Sequence, residues 1–96
     1  MANDQNAEDV VTDALVTALS ALGWIVREQD RADRLLALTG LSPASLREGI
    51  EQPAVLAALL LYLEAHEPDL LACAEAIGVE PSSLVRARTL LEAQSS

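Results

Sequence analysis

The chain has no phenylalanine and no lysine, one cysteine, and two aromatic residues, Trp24 and Tyr62. Each shortage excludes something. A lone Cys73 rules out an internal disulfide and a four-cysteine zinc site. The scarcity of aromatic residues, set against abundant Leu and Ala, disfavours strands and favours helices. With six arginines as its only formal bases against 15 acids, the chain carries a net charge of −9 and repels phosphate backbones and anionic lipid at long range. The longest uninterrupted apolar run, Ala54 to Leu63, is half of the roughly 20 residues that a bilayer crossing requires. The opening stretch is polar and acidic, unlike a secretory signal. No glycine-rich phosphate loop, zincin motif or nucleophile elbow is present. These absences lead to the expectation of a cytoplasmic protein without cofactor, metal or small-molecule ligand, and not an enzyme.

What is present is apolar: 51 % of the 96 residues. It is punctuated by a repeat. Gly40-Leu41-Ser42-Pro43-Ala44-Ser45-Leu46 recurs as Gly78-Val79-Glu80-Pro81-Ser82-Ser83-Leu84. Each copy joins a helix stop to a helix start. The glycine suits the left-handed position beyond a helix end, and the proline suits the first helical position, where its missing N–H costs nothing. Leu41 and Val79 are placed to touch both the preceding helix and Leu46 or Leu84 ahead. Glu80 is a poorer cap than Ser42, which predicts a weaker second copy.

The pattern predicts an all-α fold: a compact orthogonal bundle of about six short helices, with two helix–Gly turn–helix units around a buried central helix. Residues 1–5 are expected to form a flexible tail, 6–93 a single domain and 94–96 a frayed end. Helix one is expected from Ala7 to Glu28, capped by Asn6. Its polar residues Asp13, Thr17, Ser20 and Arg27 fall on one narrow stripe, so the rest of it needs cover. Gly23 costs about 1 kcal/mol there relative to Ala and is expected to make room for a close neighbour beside Trp24. Asp30 is expected to cap helix two, which runs to Thr39. Helix three runs from Pro43 to Glu48, helix four from Pro53 to His66 as the buried centre, helix five from Pro68 to Ile77, and helix six from Pro81 to Ala93.

The elbow at Gly78 invites a helix-turn-helix reading, with Ser82, Ser83, Arg86 and Thr89 facing outward. Charge argues against DNA. Asp69 to Glu92 holds four acids and two arginines, net −2, and Asp30 to Glu51 four acids and three arginines, net −1. His66 and Cys73 are separated by Pro68 and read as a helix-end histidine and a small core residue. Glu64, His66, Glu67 and Asp69 make a weak metal set. Arg27, Arg31 and Arg34 could hold a phosphate or carboxylate, but read more simply as partners of Glu28, Asp30 and Asp33 on a solvated surface.

The run Leu35-Leu36-Ala37-Leu38-Thr39-Gly40-Leu41-Ser42-Pro43-Ala44-Ser45-Leu46-Arg47 is similar to a family of short alphaproteobacterial proteins catalogued as a domain of unknown function, number 3572. Pro53-Ala54-Val55-Leu56-Ala57-Ala58-Leu59-Leu60 and Ala87-Arg88-Thr89-Leu90-Leu91 resemble its remaining landmarks. The likeness spans roughly Val10 to Leu91 and implies no activity, cofactor or site residue. The preferred function is therefore a non-enzymatic helical interaction module, self-associating as a homodimer or docking a partner protein's helix. Helix one supplies the contact through Val11, Leu15, Leu22 and Trp24. The alternative is a DNA-binding or transcription-associated protein derived from a helix-turn-helix.

Overall fold

Among the described residues the propensities and stop signals resolve into six helices. The computed structural model describes the backbone of residues 2–49 and 52–95, and side chains from residue 9 onward. The helices are α1 (Ala2–Val26), α2 (Gln29–Thr39), α3 (Pro43–Glu48), α4 (Pro53–Ala65), α5 (Glu67–Ile77) and α6 (Pro81–Ser95). There is no strand among the described residues.

Several boundaries differ from expectation. α1 takes in residues 2–5, expected as a tail, and Asn6 lies within it rather than capping it. An acidic opening stretch suits the positive end of a helix, which favours the earlier start. α1 stops at Val26, where Arg27 and Glu28 tighten the last turn by donating to the carbonyls of Trp24 and Ile25. Glu28, not Asp30, is the N-cap of α2 and makes no side-chain cap bond; Asp30 lies in the first turn, where its charge suits the dipole. His66 ends α4 and also starts α5, so α5 opens at Glu67. α6 continues to Ser95, beyond the expected fraying point, while Ser96 lies outside the described residues.

Both elbows form. Gly40 and Gly78 have φ of 74° and 76°, the left-handed region that glycine alone enters without steric cost. Ser42 caps α3, its Oγ accepting from the Ser45 N–H at 3.0 Å. Gly49 ends α3 with a different need. Its φ is −97°, but a β-carbon there would stand 2.6 Å from Val55 Cγ2, so glycine lets the start of α4 pass close by.

α4 is the buried centre: Leu56, Leu59, Leu60 and Leu63 are fully enclosed, with Ala57 and Tyr62 nearly so. Its largest interface is with α6, through Leu84, Ala87 and Leu91, and the next largest joins α1 to α6. Ala14, Ala18, Ala21, Trp24 and Ile25 form the inner face of α1. Small alanines there let α1 lie close to its neighbours. The molecule measures 45 × 27 × 19 Å with a radius of gyration of 13.0 Å, as expected of about 100 compact residues.

Candidate functional site

Two features stand out from this frame, one polar and one apolar. The polar feature centres on Asp69, in the first turn of α5. Its Oδ2 accepts from Arg34 Nη1 of α2 at 2.9 Å and from the Tyr62 hydroxyl of α4 at 2.9 Å, and lies 3.9 Å from His66 Nε2. One carboxylate thereby ties three helices together. Burial, and then the bond to Asp69, raise the Tyr62 pKa above its ordinary value, so the hydroxyl stays a donor. Beside this clasp the Arg31 guanidinium lies 3.7 Å from the Trp24 ring centroid and donates from Nη2 to the Trp24 carbonyl at 2.8 Å. Its Nε sits 3.8 Å from Glu28, an ion-pair distance rather than a hydrogen bond. Of the three arginines expected to pair with nearby acids, Arg31 meets Glu28, Arg34 reaches across 35 residues to Asp69 instead of its neighbour Asp33, and Arg27 forms no ion pair among the described residues.

Cys73 is fully enclosed, and burial pushes its thiol up to about 11, which leaves it a neutral packing group. No cluster of three or more potential metal ligands occurs among the described residues. On α6, Ser82, Arg86 and Thr89 are exposed, as expected, and Ser83 is half-buried. Arg88 is held by Glu64 and Glu92, and both contacts raise its pKa. This leaves Arg86 as the outward cation of that helix.

The apolar feature is the outer side of α1. The four residues expected at an interface do not form its exposed surface. Trp24 is 8 % exposed and capped by Arg31, Leu15 and Leu22 pack against the core, and Val11 is half-buried. They occupy the inner side and its flank because Ala14, Ala18 and Ala21 set the inward direction, and Trp24 lies one turn beyond on that side. The large apolar side chains that do meet solvent are Val10, Val16, Leu19 and Val26, between 43 % and 56 % exposed. A signal for them was present. The stripe Asp13, Ser20, Arg27 marks the solvent side, and Val16 and Gly23 fall between its members at helical spacing. The expectation for Gly23 differs too: beyond its chain neighbours and the adjoining backbone of α1, no atom among the described residues lies within 4 Å of where its β-carbon would be.

Two open grooves border this face. One, of about 360 Å³, runs between α1 and α6 and includes Asp13, Val16, Thr17, Arg86 and Leu90. The other, of about 410 Å³, lies between α1 and α5 and includes Ser20, Gly23, Arg27 and Ile77. By length and composition Asp9–Val26 is also apolar enough to cross a bilayer, although its inner side packs into the core.

The sequence profile of the family described as "Protein of unknown function (DUF3572)" matches residues 11–94. The chain belongs to that family. The matched span takes in α2 to α5 entire and most of α1 and α6, so both the clasp and the outer α1 face lie on the family's own scaffold. No curated protein and no solved structure matches the chain.

Proposed function

We propose that the chain is a cytoplasmic, non-enzymatic interaction module that presents the outer face of α1 to the helix of a protein partner. The observation that carries this reading is the distribution of burial along α1. Only 28 % of the Asp9–Val26 window is buried, yet its mean hydropathy is 1.5. Exposed apolar residues scattered singly need no explanation, but a row of them along one helix marks a surface that gains by being covered. An amphipathic helix lying against such a row is a recurrent mode of recognition. The polar residues support the same reading: Asp69, Tyr62, Arg34 and Arg88 are bonded to one another or to neighbouring carboxylates, as braces between helices are. The helix-turn-helix alternative has little to draw on, because a single outward Arg86 supplies about one phosphate contact.

The test is affinity capture from the native cell with the natural chain and with a Val16→Asp, Leu19→Asp variant. Proteins retained by the first and lost by the second support the reading. An identical set of captured proteins overturns it.

A further inference from the structure

We infer that the helix received by α1 is α1 of a second copy of this chain, laid antiparallel across Val16, Leu19, Gly23 and Val26 about a twofold axis. This rests on the reading of α1 as a docking face and names its occupant.

Three observations converge. Val16, Leu19, Gly23 and Val26 are spaced three, four and three residues apart, the spacing of the seam between two paired helices, and all four are exposed. Gly23 lies in the last turn of α1, where glycine is still a poorer helix former than Ala, and open space surrounds the position of its missing β-carbon. No neighbour among the described residues calls for a glycine there. An antiparallel partner does: with Val16 set opposite Val26, Leu19 falls opposite Gly23 in both halves of the pair, and the glycine gives the leucine a place to sit.

Charge then selects the orientation. Asp13, Ser20 and Arg27 run beside the seam at intervals of seven, all exposed. In an antiparallel pair this row meets its own reverse, so Asp13 faces Arg27 of the partner subunit twice over, with the serines near the axis. A parallel pair would set Asp13 against Asp13 and Arg27 against Arg27. Among the described residues neither Asp13 nor Arg27 has an ion-pair partner within the chain. Asp13 borders the α1–α6 groove and Arg27 the α1–α5 groove, which leaves room on that side for the two side chains to reach across. A net charge of −9 disfavours an anionic bilayer as the occupant. Among homo-oligomers the twofold dimer is by far the commonest arrangement.

Sedimentation velocity on the full chain at micromolar concentration tests this, with circular dichroism on every variant. The natural chain is expected to be a dimer. Gly23→Glu places a carboxylate opposite Leu19 and should yield a monomer that keeps its helicity, since the isolated fold has space there. Asp13→Arg should weaken association by about tenfold, and the double swap Asp13→Arg, Arg27→Asp should restore it. A monomeric natural chain overturns the inference, as does a dimer indifferent to Gly23→Glu or a double swap no better than the single one. If the natural chain is monomeric but the Val16→Asp, Leu19→Asp variant still loses a captured protein, the second copy is wrong and the docking face stands. If the face instead binds vesicles of phosphatidylcholine and phosphatidylglycerol as a monomer, both readings fall.

Discussion

The two elbows share a sequence pattern and do unequal work. Set 38 positions apart, Leu35 and Cys73 are both fully enclosed, Gly40 and Gly78 are both left-handed, and Gly49 and Ala87 are both buried. The pattern therefore extends beyond the seven residues in which it is conspicuous. The closures differ. At Gly78 the turn is a full Schellman motif, with Val79 donating to the Ala74 carbonyl at 2.9 Å and Gly78 to Glu75 at 3.3 Å. At Gly40 a single bond returns to Leu36 at 3.0 Å, and Leu41 donates instead to the Thr39 hydroxyl. The helices that follow differ more. α3 is six residues long with no buried side chain, whereas α6 is 15 residues long and buries Leu84, Ala87 and Leu91. Ranking the copies by their caps put the first ahead; packing reverses that order. A cap stabilises by about 1 kcal/mol, and a buried leucine by two to three times as much.

The largest test of this contrast is to remove the equivalent leucine from each copy. Leu84 is fully enclosed between α6 and its neighbours, so Leu84→Ala should cost about 3 kcal/mol, from lost burial plus the cavity left behind. Leu46 is only half-buried, and Leu46→Ala should cost about 1 kcal/mol. Urea denaturation of both variants gives the comparison. Equal losses would mean that the elbows contribute alike.

The next test concerns why α3 stops where α6 continues. Position 49 is glycine and position 87 alanine, and the β-carbon decides the outcome. Gly49→Ala should not lengthen α3, because the added carbon would stand 2.6 Å from Val55 Cγ2 and 3.0 Å from the Ser45 carbonyl. It should destabilise by about 1–3 kcal/mol, the usual cost of overpacking. Gly23→Ala, made in the last turn of α1 where nothing is in the way, should stabilise a dilute monomer by about 0.5 kcal/mol. Thermal melts of the two variants moving in the same direction would show that intrinsic helix propensity outweighs packing at Gly49.

Much of this was legible from sequence because it is local. Glycine after an apolar helix and proline at the next start mark the elbows through backbone sterics alone, and the unbroken apolar run of α4 requires a central position. What was not legible depends on distant residues meeting. Nothing near Arg34 points to Asp69, and the Pro68 break hides that Tyr62 and Asp69, seven residues apart, share one bond. The role of Gly49 is set by Val55, across a helix boundary. Which side of α1 meets solvent was not legible either, because Arg31 of α2 supplies Trp24 with a cover that spacing does not reveal.

The smallest effect expected is a dependence on pH, which again separates the copies. Where the first carries Leu35, the second carries Cys73, so only the second brings a titratable group into the core at this position. Burial raises the Cys73 pKa from 9.0 to about 11. A raised folded-state value means that the native state holds its proton more tightly than the unfolded chain does. The contribution is fully present below about pH 9 and is lost as pH rises toward 11. Tyr62, also raised by burial and by its bond to Asp69, adds to the same alkaline loss. Stability measured by urea titration should therefore fall across that window, and Cys73→Ala should flatten the fall. Tyr62→Phe should flatten its upper part, at the cost of one donor to Asp69. A Cys73→Ala chain that declines as steeply as the natural one would place the alkaline weakness outside the second elbow.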